Sequence, residues 1–240
     1  MSINLRFLLF CLTTLILSET HAQCGSHEVN IVGQMKDVMW KGQLYGKIHL
    51  DTLPDKTHLY GMGPVEGLTG EILINNGRAW KSTVVSENHM KVEETYDLRA
   101  PFFAYARIEK WQEMILPDSI RTMINLENHL LHLVPDCPGP FMFKLMGKVE
   151  TATIHIVNLP PGSKVSSPED AHRGKISYHL REAESEIVGF FSTRHQGVFT
   201  HKNTFLHMHL ITADQKKMGH LDEVAFKKGG IKLYLPQYRD

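Results

Sequence analysis

Cysteine is scarce in this chain. Three in 240 residues cannot build a disulfide scaffold, so packing must carry the fold. Charge of one sign is also lacking. Lys plus Arg and Asp plus Glu number 26 each, which leaves no electrostatic footprint for nucleic acid or an anionic membrane. Long apolar runs are absent beyond one near the start, and that run falls short of the roughly 20 residues that span a bilayer. No glycine loop of the phosphate-cradling type occurs, which argues against a nucleotide-like cofactor.

The one apolar run does have a use. Arg6 precedes Phe7-Leu-Leu-Phe-Cys-Leu-Thr-Thr-Leu-Ile-Leu17, and Thr20-His21-Ala22 puts small residues where signal peptidase cuts. Residues 1–22 are therefore expected to be a signal peptide, with export to the periplasm or medium. Cys24 raises lipidation as an alternative, although His21-Ala22-Gln23 is a poor approach to a lipidated cysteine. Cys24 and Cys137 remain after cleavage and could pair in an oxidising compartment. Residues 23–240 are long enough for one substantial core.

Histidine carries the chemistry. His207-Met208-His209 lies in Thr204-Phe-Leu-His-Met-His-Leu-Ile-Thr-Ala213, whose β-branched and apolar residues predict a strand. Alternate strand residues share a face, so His207 and His209 point one way and Met208 the other. Asp214-Gln-Lys-Lys-Met-Gly219 is polar and ends in glycine, which predicts a reversal. A hairpin there sets His220 beside His209. Three neutral imidazoles on one face can hold zinc and leave a fourth position open, the pattern of catalytic sites. A purely structural zinc would need a fourth protein ligand, for which Asp214 and Asp222 are the candidates. The bland alternative is a chance cluster of strand histidines.

The rest of the chain reads as many strands and one clear helix, an α+β organisation. Strand content is expected at Val29–Val32 and Val38–Trp40, then a glycine-rich loop from Gly61 to Gly70. Glu71–Ile74 reads as a strand, Asn75-Asn76-Gly77 as a type I′ turn, and Arg78–Val85 as the return. Pro101–Arg107 is another strand. Apolar spacing from Ile120 to Val134 predicts a helix capped by Asp118 or Ser119 and ended by Pro135. Further strands are expected at Pro140–Met146, Glu150–Val157, Ile187–Phe191 and Ile231–Leu235. Pro160-Pro161-Gly162 breaks the chain, and His172-Arg173 opens a short helical or loop piece. His155, between Ile154 and Ile156, reads as a half-buried, hydrogen-bonded histidine or as a pocket residue. Glu71 alone reads as a strand-edge acid.

Taken together, Gly61-x-Gly63, Leu68-x-Gly70-Glu71, Ile187-Val-Gly-Phe190 and Leu206-His-Met-His-Leu-Ile-x-x-Asp214 with Gly219-His220 resemble the α-acetolactate decarboxylases. The likeness runs in order and spacing over roughly residues 45–225. It implies an α+β fold of two packed β-rich halves, about 23–135 and 136–240, with mixed or antiparallel sheets and few helices. It implies zinc held by His207, His209 and His220, with Glu71 as the active-site carboxylate. The implied reaction converts 2-acetolactate, a hydroxy-keto acid, to acetoin and carbon dioxide, and the implied assembly is a homodimer.

Two departures are visible. Phe141-Met-Phe-Lys-Leu-Met-Gly147 aligns with a family segment whose following strand carries an arginine, and that arginine falls on His155. Arginine offers a permanent charge and a two-pronged donor for carboxylate, which histidine does not reproduce at neutral pH. The family's C-terminal acid, which returns to the zinc pocket, is expected to have no counterpart here. The alternatives are therefore an exported zinc- or ligand-binding homologue without turnover, or a zinc enzyme acting on another carbonyl substrate.

Overall fold

The structure is a computed structural model that describes residues 28–134, 139–200 and 203–237. The expected leader at 1–22, Cys24 and Cys137 lie outside the described residues. Helix α1 spans Met35–Lys41, α2 Met123–Leu133 and α3 Pro168–Ala171.

The first eight strands are β1 (Asn30–Val32), β2 (Ile48–His49), β3 (Leu59–Pro64), β4 (Glu71–Asn75), β5 (Arg78–Ser86), β6 (His89–Glu94), β7 (Arg99–Ala100) and β8 (Phe103–Arg107). Six form one sheet in the order β1-β8-β3-β4-β5-β6, and β2 pairs with β7. The remaining six are β9 (Trp111–Ile115), β10 (Phe141–Ile156), β11 (Ile176–Phe191), β12 (Leu206–Thr212), β13 (Met218–Phe226) and β14 (Lys232–Pro236). They form the second sheet, β11-β12-β13-β10-β14-β9, and β10 also pairs with β11. The ring β10-β11-β12-β13 thus closes on itself. Pairings between named strands are all antiparallel.

The two sheets share an apolar core. Tyr60, Met62, Leu73 and Ala104 of the first pack in one cluster with Met142, Val188, Phe190 and Ile211 of the second. A second core fills the inside of the second sheet beneath α2, with Phe143, Ile154, Met208 and Leu210 joined by Leu126 and Leu130. Met208 is therefore core filling on the face opposite the histidines. The changeover between sheets falls between Arg107 and Trp111, because β9 pairs with β14.

Several local expectations need correction. Val38–Trp40 is helical, because Met35, Val38 and Met39 are buried at helical spacing and Gly42 closes α1 at φ 61°. The stretch from Gly61 to Gly70 is not one loop, since β3 occupies its first part. Gly61 and Gly63 are there for close approach. A Cβ at Gly61 would meet the Phe103 ring at 2.7 Å, and one at Gly63 the Phe102 carbonyl oxygen at 2.4 Å. Thr122, not Asp118 or Ser119, caps α2 by accepting from the Asn125 amide at 3.3 Å. Asp118 instead accepts from the Gly229 amide at 2.7 Å. The two strands expected around Met146 and Glu150 are one continuous β10. Strands β2, β6, β7 and β9, and β11 before Ile187, lie where the sequence predicts none.

Candidate metal centre

The histidines assemble through strand register. The β12–β13 hairpin pairs His209 with His220, and the β10–β13 ladder pairs His220 with His155. Directly paired residues project to one face of a sheet, so His209, His220 and His155 form a lateral row, with His207 two positions along β12. Ring centroids are 5.4 Å apart for His209 and His220, 4.9 Å for His207 and His220, and 4.7 Å for His155 and His220. All four are buried, His209 completely. Gly219 lets β13 come this close, because a Cβ there would meet the His155 carbonyl oxygen at 2.5 Å.

Each of His207, His209 and His220 offers one nitrogen within 4.8 Å of the others. Tetrahedral zinc with Zn–N near 2.0–2.1 Å needs nitrogens about 3.4 Å apart, so a small closure of the rings would complete the set. The state of His209 supports that fit. Neither of its ring nitrogens has a hydrogen-bond partner, and a buried orphan polar atom is costly. Burial, with the neighbouring His155, drops its pKa to about 3, and a weak backbone interaction with Ile72 only partly opposes this. The ring is therefore a neutral imidazole, the form a metal requires. His207 is oriented by the Phe199 carbonyl, 2.9 Å from Nδ1, which fixes the tautomer with a lone pair on Nε2.

Glu71 enters from the opposite sheet. It begins β4 beside Ser82 and Pro64 and is 3 % exposed. Its Oε1 accepts from the Val157 amide at 3.2 Å. Oε2 lies 3.7 Å from His209 Nε2, and Oε1 lies 4.0 Å from His155 Nε2. Burial raises the Glu71 pKa well above the usual carboxylate range; the Val157 bond opposes that and the Asp222 charge adds to it. Burial likewise lowers His155, against the pull of Asp222. Burial thus disfavours charge on both of these close neighbours. Glu71 is thus not the solvated strand-edge acid that the residue alone would suggest.

His155 lies beside the triad. Its Nδ1 donates to Asp222 Oδ1 at 2.8 Å. The β10–β13 register slips between Thr153 and Ile154, so Asp222 is an extra residue in β13, and bulges of this kind re-aim a side chain. Asp222 is also 3.6 Å from Lys175 Nζ. A second possible metal-holding group, His155, His220 and Asp222, shares His220 with the first. Asp214 is not at the site; it accepts from Thr212 Oγ1 at 2.6 Å and from the Lys216 amide at 3.1 Å, holding the hairpin turn. Arg173 is also elsewhere, paired with Asp170.

The cavity facing these groups is small, about 30 Å³, and is walled by Met35, Met39, Leu68, Phe102 and His172 as well as the polar set. The sequence offered no reason to place α1 or Phe102 here. Met35 and Met39 are one helical turn apart, but only the tertiary fold shows what that turn covers.

Residues 32–237 match the family described as alpha-acetolactate decarboxylase. No curated protein sequence matches the chain. Among solved structures, the alpha-acetolactate decarboxylase of Bacillus subtilis strain 168 superposes with a TM-score of 0.71 at 16% identity, covering 88% of this chain and 86% of that one. The acetolactate decarboxylase of Bacillus subtilis subspecies spizizenii gives 0.72 at the same identity and coverages. A Staphylococcus aureus protein of unknown function, similar to alpha-acetolactate decarboxylase, gives 0.70, again at 16% identity over 88% and 86%. Over this length of match, the chain belongs to the alpha-acetolactate decarboxylase family.

Proposed function

We propose that this chain is a zinc-dependent lyase that decarboxylates 2-acetolactate to acetoin. The observation that carries this reading is the buried triad of His207, His209 and His220 facing the buried acid Glu71. Three protein ligands would leave a fourth coordination position for substrate.

2-Acetolactate is a β-keto acid. When the bond from C1 to C2 breaks, its electron pair becomes an enolate over C2 and C3, and carbon dioxide leaves. Zinc held by His207, His209 and His220 would supply the Lewis acidity that polarises the ketone and stabilises this charge. Proton delivery to C2 then gives acetoin. Glu71 suits that step because burial raises its pKa and so favours the protonated form that a general acid needs. Its Oε1 is held by the Val157 amide, so Oε2 is the oxygen that can carry the proton. A bound cation would oppose that rise.

His155 holds its proton on Nδ1 for Asp222, which turns Nε2 towards Glu71. It can reset the Glu71 proton or accept a hydrogen bond from substrate. It does not supply the permanent charge that arginine brings to a carboxylate. That substitution favours the second reading, a homologue that binds hydroxy-keto acids without turning them over. Incubation of zinc-loaded protein with 2-acetolactate separates the two. Acetoin above the spontaneous rate supports the lyase, and binding without acetoin supports the homologue.

A further inference from the structure

A larger cavity adjoins the metal cavity. It is a half-open cleft of about 600 Å³ bounded by Lys36, Met39, Trp40, Pro168, Val198 and Asn203. Met35, Met39 and His172 line both cavities, so these side chains form the wall between them. Met35 and Met39 stand on one face of α1. Methionine is unbranched and adapts its shape readily, and His172 meets the His155 ring edge-on at 6.0 Å.

The volumes of the two compartments differ greatly. The inner one has room for two or three waters, at about 10–15 Å³ each, so a substrate's acid end enters it as the adaptable Met35 and Met39 side chains yield. The outer one falls within the roughly 300–1,000 Å³ of ordinary ligand sites and would remain mostly empty around a molecule as small as acetolactate. Its lining is also chemically mismatched to such a substrate. Met35, Met39, Trp40, Pro168 and Val198 make most of its wall apolar, with Lys36 the one charged member, and Trp40 stays 50% exposed. A half-exposed indole beside an apolar cavity gains burial when a ligand covers it.

We propose that the outer cavity is a substituent subsite. The chain takes 2-hydroxy-3-keto acids that carry an apolar chain of several carbons, with the acid end at the histidine triad. The chain passes the Met35–Met39 wall and lies against Trp40 and Val198. This assignment rests on the reading of the triad as a zinc site for hydroxy-keto acids.

Two acids that cannot decarboxylate test it, because their C3 carries a hydroxyl instead of a ketone. They are 2,3-dihydroxy-2-methylbutanoate and the same acid with a hexyl group replacing the C2 methyl. Calorimetric titration of zinc-loaded protein should show the hexyl acid binding about tenfold tighter or better, as burial of methylenes requires. It should also change tryptophan emission, and Trp40→Ala should remove that change. Trp40→Ala, which trims the subsite, and Asn203→Trp, which fills it, should each erase most of the hexyl preference.

Equal or weaker binding of the hexyl acid overturns the subsite, as would happen if a second copy of the chain covered the groove. A preference that survives in both variants overturns it too. If the methyl acid binds and the hexyl acid gains nothing, only the subsite falls. If neither binds, the hydroxy-keto acid reading of the metal centre falls with it.

Discussion

His209 and His220 face each other as direct partners across the β12–β13 hairpin, with ring centroids 5.4 Å apart. That pairing turns a local sequence pattern into a metal face, because His207 shares the same side of β12 and adds the third imidazole. Loss of one ring should therefore cost the whole site. His207→Ala or His209→Ala is expected to reduce zinc from about one per chain to a trace after dialysis, read by elemental analysis. Full zinc in both variants would remove the triad from the account.

Acid should weaken the metal-free fold through His209. The unfolded chain protonates this ring near its ordinary value of 6.5, whereas the folded chain resists until about 3. Between those values the unfolded state holds the extra proton, so stability falls as pH drops below 6.5 and is unaffected by this group above it. His155 shifts in the same direction. Denaturant midpoints of chelator-treated protein should therefore be lower at pH 5 than at pH 7.5, and His209→Gln should narrow the difference. A midpoint that rises on acidification would contradict the burial argument.

Glu71 should show the opposite trend. Its folded pKa is raised, so its contribution is lost as pH rises above the ordinary carboxylate value through the folded one. Glu71→Gln removes that cost, and metal-free variant at pH 8 should melt roughly 2–4 °C higher, the shift that about 1 kcal/mol makes in a domain of this size. The same change should slow acetoin formation by about 10²–10⁴-fold, the usual worth of a positioned acid. A variant that is both less stable and fully active would rule out the buried-acid role.

Asp222 acts through His155. Asp222→Asn keeps the shape but loses the carboxylate that fixes the imidazole, and outer partners of this kind are worth about 10–100-fold. A lower kcat with little change in zinc content is expected, and the pH profile should shift because His155 loses the partner that raises its pKa. An unchanged profile would make Asp222 purely structural.

The sequence disclosed the parts of the site that are local. Strand alternation placed His207 with His209, and the glycine before His220 marked the hairpin. Glu71 could be named, but not its burial, which comes from β4 lying under the second sheet. Asp222 was legible only as a possible ligand, because a bulge that re-aims one side chain leaves no periodic trace. Helix α1 reads as a strand in sequence, since a helix this short gives barely two turns of pattern. The long β10 was split at Met146–Glu150, where Gly147 and Lys148 mimic a turn. Strand β9 crosses to the second sheet through pairing with β14, some 120 residues later, and no local signal encodes that.

The most direct test titrates zinc into metal-stripped protein while acetoin is measured from 2-acetolactate. The account predicts a rate that climbs with added zinc and breaks at one equivalent per chain, with no such break in His209→Ala. Acetoin at only the spontaneous rate, at every zinc concentration, would contradict it.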